Sequence, residues 1–163
     1  MSLALQNASG GNLCLGNYTL TGLSGAATTF TSAATPIAIR GAALTRAANA
    51  GAASPTTDAV SGLAMTLVAN QARVFCFGTN AAGTNQVIAG AVKAWTDTTA
   101  LSTEVVMPSL PDTFVLCATV VIKAGSTTVG TWTFGSSNWN ATGIVIDTVV
   151  NRFSAPDAAI YTA

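Results

Sequence analysis

The sequence predicts an all-β protein, an antiparallel β-sandwich or barrel-like domain with an extended N-terminal arm. Short β-branched and aromatic runs, punctuated by Gly, Asn and Pro, recur along most of the chain. No stretch combines the length and the 3.6-residue periodicity of a helix. Residues 1–35 are Gly, Ser, Thr, Ala and Asn with thin apolar content, which sets an arm apart from a β-domain over residues 36–163.

Within the arm, Leu13, Leu15 and Thr19 share one face, with Cys14, Tyr18 and Leu20 on the other. That alternation predicts one short strand in an otherwise extended segment. Such a segment cannot bury enough surface alone, so it should order by docking on its own core or on a neighbour.

Residues 36–72 carry two further strand candidates before a loop. Ile37 and Ile39 alternate with Ala38 and Arg40 after Pro36, and Ala42-Ala43-Leu44-Thr45-Arg46 follows Gly41. The stretch 47–55 is rich in alanine, the best helix former. Asn49 and Gly51 interrupt it and Pro55 stops it, so it reads as a loop with at most one helical turn. Leu63 to Val68 resumes strand texture, and Asn70-Gln71 supplies a turn.

The clearest elements lie between residues 73 and 150. Arg73 to Gly78 and Gln86 to Lys93, joined through Thr79 to Gly83, predict a β-hairpin with a longer loop. Val105-Val106-Met107 leads to Pro108 and Pro111, which cannot donate to a ladder and so mark a loop or sheet edge. Phe114 to Ile122 is a near-continuous apolar run, as expected of a strand buried on both faces. Gly125-Ser126 turns the chain, and Thr128 to Phe134 is expected as its antiparallel return. Asn138-Trp139-Asn140 reads as a loop, and Ile144 to Val150 as the last strand.

Composition narrows the chemistry. Of 163 residues, 50% are hydrophobic and 7% charged, with six Lys/Arg, six Asp/Glu, no histidine and zero formal net charge. A typical domain carries about 25% charged residues. Histidine triads, histidine general bases and His-ligated metal sites are therefore excluded. Arg40, Arg46, Arg73, Lys93, Lys123 and Arg152 are spread singly, whereas a nucleic-acid partner calls for clustered cations. A neutral chain has no electrostatic protection against association, so partners should cover much of its apolar surface.

The first residues lack a basic region and an apolar core, so no secretory signal is read there. The longest apolar run falls short of the roughly 20 residues of a membrane helix. Cys14, Cys76 and Cys117 are odd in number and widely spaced, and read as reduced, buried small hydrophobes, a disulfide between two of them being the minor alternative. The sequons at Asn7, Asn17 and Asn140 read as chance matches, and synthesis in a reducing cytosol is expected.

No phosphate loop, dinucleotide fingerprint or EF-hand spacing occurs. Asp97 and Glu104 could meet as a glycosidase-type carboxylate pair, although two solvated loop acids are the simpler reading. A Ser/Lys dyad on Lys93 or Lys123 is formally open, but both follow apolar strands at turn positions, where ordinary surface lysines sit. No catalytic residue and no cofactor is expected. Trp139 between Asn138 and Asn140 could stack on a sugar, or could close a sheet end or a subunit contact. Trp95 and Trp139 are the candidate interface anchors. Asn138, Asn140, Leu13, Leu15 and Tyr18 complete the candidate contact set.

Three segments together carry a resemblance: Leu110-Pro111-Asp112-Thr113-Phe114, Val120 to Thr127 with its Lys123-Ala124-Gly125, and the run Thr131-Trp132-Thr133-Phe134-Gly135-Ser136-Ser137-Asn138-Trp139-Asn140-Ala141-Thr142-Gly143. The hairpin Val74 to Gly83 and the approach Ser54 to Asp58 add to it. The chain resembles virion structural proteins of tailed bacteriophages, in particular head-decoration (cement) or head-fibre proteins, over roughly residues 36–150. In that pattern a Pro-Asp loop leads into a buried strand ending in Lys-x-Gly, then a Trp-Thr-Phe-Gly strand and a Trp-Asn-Ala loop. Residues 152–157 depart from it, lacking a leucine-proline ending.

The resemblance implies a non-enzymatic cement protein, made in the host cytoplasm, on the outer surface of the phage head. Its partners would be the major capsid protein and itself as a homotrimer, with neither nucleic acid nor membrane involved. The N-terminal arm would order on the capsid or on a neighbouring protomer. A tail or head-fibre module that binds host-surface glycan through Trp139, Asn138 and Asn140 is the rival reading, and a carboxylate hydrolase the third.

Overall fold

The computed structural model describes residues 12–95 and 105–151. Twelve strands form among them and no helix: β1 (Leu13–Cys14), β2 (Thr29–Ser32), β3 (Thr35–Ile39), β4 (Ala42–Arg46), β5 (Asn49–Ala53), β6 (Thr66–Val68), β7 (Gln71–Thr79), β8 (Asn85–Ala89), β9 (Lys93–Ala94), β10 (Val115–Ala124), β11 (Thr131–Thr133) and β12 (Ile144–Asn151). All pairings are antiparallel, so the all-β expectation holds.

The largest sheet runs β12-β10-β7-β8, with β9 also pairing the start of β7. Period-two alternation decides what each face does. On β7, Phe75 and Phe77 point into the main core, while Val74 and Cys76 point to the opposite face. The main core draws on every sheet: Cys14 and Ile37 from β1-β3-β4, Phe30 from β2-β5, and Leu67 and Trp132 from β6-β11. The three small sheets thus cover one face of the large one. The second face is covered by Val105, Leu110 and Phe114, with Trp95 against Ala72 and Val121. This is the both-faces burial expected for the Phe114 to Ile122 run, and the proline-bearing stretch 105–111 forms no strand.

A bulge between Leu116 and Ala118 modifies the alternation on β10. It turns Cys117 and Ala118, consecutive residues, towards the same core. Close contact is tightest at Gly78, where a Cβ would overlap the Val115 carbonyl oxygen and the Phe114 ring. The β3–β4 hairpin closes through Arg40 and Gly41, both at positive φ (48° and 80°), the signature of a two-residue type I′ turn.

Two expectations need correction. The alanine-rich stretch 47–55 contains a strand, β5, paired with β2 through Thr29↔Ala53 and Phe30↔Ala52. Alanine's helix preference is under about 1 kcal/mol per residue, and Asn49 and Gly51 erode it, so sheet pairing prevails. The segment around Trp132 does not return along β10. Both edges of β10 are taken, by β7 and β12, and β11 pairs β6 with Trp132 opposite Leu67.

From residue 12 the arm orders by docking on its own core. The predicted faces are right: Cys14, Tyr18 and Leu20 are buried, with Leu13 and Leu15 half-buried and Thr19 exposed. Residues 12–35 nevertheless belong to the β-domain, because β1 pairs β3, Thr21 bridges Thr31, and Phe30 sits in the core. Residues 12–35 thus dock on the chain's own core, and residues 1–11 of the predicted arm lie outside the described residues.

Candidate assembly surface

The predicted aromatic anchors face inwards. Trp139 is 2% exposed, and its indole N–H donates to the Thr29 carbonyl at 2.8 Å. It packs edge-on to Phe134 at 5.2 Å and tilted against Trp132 at 5.9 Å. The Trp132 indole N–H donates to the Asn138 carbonyl at 3.0 Å, which folds the 134–140 turn back over the core. Trp95 is buried beneath the Lys123 ammonium, 4.9 Å from the ring centroid. Tyr18 is fully buried.

These three rings therefore offer no free face for a subunit contact or a stacked sugar. Asn138 and Asn140 are exposed beside a tryptophan that turns away from them, and Leu13 and Leu15 are half-buried at β1. The physical reason is local. Phe30, Phe75, Phe77, Phe134, Trp132 and Trp139 form one chain of ring contacts, and each needs the next to fill the space between the sheets.

Several charged side chains among the described residues are likewise engaged within the chain. Arg40 pairs with Asp112 at 2.8 Å on the surface, and Lys123 with Asp147 at 3.1 Å. Lys123 thus sits between a carboxylate and an indole, engaged by both. Lys93 is exposed on β9. Arg73 donates from Nε to the Gly90 carbonyl and lies over the Phe75 ring. Asp97 and Glu104 lie outside the described residues.

Arg46, 3% exposed, has the most enclosed charge. Nε and Nη2 both donate to Asn85 Oδ1, and Nη1 donates to Ser32 Oγ and the Ala47 carbonyl at 2.9 Å each. Its guanidinium stands 4.8 Å from the centroid of the Tyr18 ring. Burial raises the Tyr18 hydroxyl to about 12, against the pull of Arg46. That hydroxyl lies by Ser32 but makes no well-formed hydrogen bond.

Asp58 organises the 58–63 turn. Burial pushes its carboxyl up, yet hydrogen bonds from the Ala89, Ser61 and Val60 amides and the Ser61 hydroxyl outweigh it and hold the pKa below the ordinary range. Oδ1 accepts from Val60 N, Ser61 N and Ser61 Oγ, and Oδ2 from Ala89 N at 2.7 Å. Ala59 N donates to the Val87 carbonyl. The turn therefore seals the outer edge of β8, which would otherwise invite another strand. At the opposite edge of the sheet, β12 carries a register shift at Asp147, the residue paired to Lys123. A bulge with a charge blunts that edge also.

What the turn presents outwards is apolar. Val60 is 62% and Leu63 69% exposed, and Val129, on the turn after β10, is 88% exposed. A hollow of about 170 Å³ between β4 and the Ala81–Gly83 turn is smaller than the roughly 300–1,000 Å³ of small-molecule sites. Among the described residues no three His, Cys, Asp or Glu side chains come together as a metal site.

Arg46 and Asp58 were not singled out as site residues in the sequence. Only Asp58 carries a usable signal there, an Asp followed by Ser61-Gly62, which is turn chemistry. Arg46 gathers Asn85, Ser32 and Tyr18 from three distant places, and no local spacing announces that. Compared with known proteins, the chain matches no family model, no curated protein and no solved structure.

Proposed function

We propose that this chain is a non-enzymatic virion structural protein, a decoration (cement) protein that binds the outside of an assembled phage head and bridges capsomers. The observation that carries the reading is the Asp58-locked turn, which holds Val60 and Leu63 out to solvent. Apolar side chains on a rigid platform lose little entropy when a partner covers them, which is how a cohesive contact gains affinity. Zero formal net charge and two ion pairs within the chain suit close packing against a partner.

The resemblance of residues 36–150 to phage head-decoration proteins supplies the partner, the major capsid protein, and self-association as a homotrimer. The protein would be made in the host cytoplasm and act on the outer head surface. The test is add-back: heads lacking the protein are heated with and without the purified chain, and DNA release is followed. Restored heat resistance is expected. Unchanged release at saturating protein would overturn the proposal.

A further inference from the structure

Cys14 and Cys117, far apart in sequence, come to one buried place. Asn12 Nδ2 donates to the Asp112 and Phe114 carbonyls, at 2.6 and 3.1 Å, and so lays β1 beside the entrance of β10. Beyond that anchor the Cys14 and Cys117 thiols enter one core within interacting range of each other, Cys14 Sγ donating to the Gly16 carbonyl at 3.2 Å and Cys117 Sγ to the Val115 carbonyl at 3.6 Å. The β10 bulge is what aims Cys117 at Cys14, because regular alternation would not put both Cys117 and Ala118 on the core face. Both thiols are free and buried. The Arg46 guanidinium acts electrostatically on both, and among the described residues it has no carboxylate partner.

We propose that Cys14 and Cys117 form an oxidation site, a dithiol that a low-molecular-weight disulfide converts into an intrachain Cys14–Cys117 disulfide, stapling β1 to β10. The Cys14 thiolate attacks one sulfur of the small disulfide and displaces the other half as a thiolate, giving a mixed disulfide. Cys117 then loses its proton to solvent, attacks Cys14 Sγ and displaces the second small thiolate. Two protein thiols are oxidised by two electrons, and one small disulfide is reduced to two thiols. The asymmetry of the pair suits this order. The neighbouring Cys117 side chain lowers the Cys14 pKa, while the Cys14 side chain and burial raise that of Cys117. A buried cation near the nascent thiolate favours it further.

Access comes from the fold itself. β1 is two residues long and pairs only β3, so few ladder hydrogen bonds hold it closed over Cys14. Once formed, the bond closes a loop of about a hundred residues, near the upper end of what a cross-link removes from the unfolded ensemble.

Full-length protein is incubated with oxidised glutathione, then analysed by intact mass, by non-reducing peptide mapping after alkylation, and by thermal unfolding. The expected result is loss of two hydrogens, a Cys14–Cys117 cross-linked peptide with Cys76 alkylated, and a midpoint raised by roughly 10 °C. Cys76→Ser should behave in the same way, while Cys14→Ser and Cys117→Ser should show neither cross-link nor shift. Three unmodified thiols after prolonged incubation, a persistent glutathione adduct, or a cross-link through Cys76 would each overturn the proposal.

Discussion

The Arg46 guanidinium lies 4.8 Å from the centre of the Tyr18 ring and, with Asn85 and Ser32, fixes the junction between β4, the β7–β8 loop end and the N-terminal segment. Four donated hydrogen bonds satisfy the charge by dipoles and a ring face. Lysine has neither the planar fork nor the donors to replace it. Arg46→Lys should therefore lower unfolding stability by about 3 kcal/mol, through Asn85 and Ser32 left short of partners in a buried site. Urea denaturation measures this directly.

Tyr18→Phe should leave stability unchanged or raise it by up to about 1 kcal/mol, because the hydroxyl it removes is buried without a well-formed hydrogen bond. The pH dependence follows from the same burial. The Tyr18 pKa is raised from 10.0 to about 12 in the folded chain, so above pH 10 the unfolded state releases a proton that the folded state retains. The stabilisation is complete below pH 10 and is lost as pH rises towards 12. Alkaline unfolding followed by circular dichroism should begin later in Tyr18→Phe than in the parent.

Asp58 works in the opposite direction. Its folded pKa lies below the ordinary value of 3.8, so its contribution is present above that pH and is lost as pH falls through the folded value. Asp58→Ala leaves the Ala89 amide without its acceptor at the edge of β8, and should cost about 2–3 kcal/mol at neutral pH while flattening the acid limb of the stability profile. A pH series of chemical denaturations on both proteins tests the pair of effects.

Gly78→Ala should destabilise by about 3 kcal/mol, an overpacking cost, because the added methyl meets the Val115 carbonyl and the Phe114 ring where β7 and β10 approach. Thermal melts of the variant provide the measurement.

Leu63→Glu separates the surface from the fold. Leu63 is exposed, so stability should change by less than about 0.5 kcal/mol. Binding to heads should fall by at least about tenfold, the effect of an unpaired charge in an otherwise apolar contact. Equal binding by the variant and the parent would place the contact elsewhere.

Much of the fold is legible in the sequence because strands announce themselves locally. The alternation of Val74, Phe75, Cys76 and Phe77 and the apolar run into Ile122 give β7 and β10, and Cys14, Tyr18 and Leu20 are correctly placed on the buried side. Pairing partners are less legible. Whether Trp132 returns along β10 depends on β12 having already taken that edge, a fact held some fifteen residues further on. The surface was the least legible part. Tryptophan beside asparagine reads equally as an exposed platform or as a lid, and only the Thr29 carbonyl waiting for the Trp139 indole makes it a lid. Val60 and Leu63 look like ordinary apolar residues until Asp58 is seen to fix their turn.

Co-sedimentation of the purified chain with heads that lack it tests the assembly reading most directly. Saturable binding at a copy number near that of the capsomers, with a trimer by light scattering in the free protein, is the predicted result. A chain that stays in the supernatant at every concentration would contradict it.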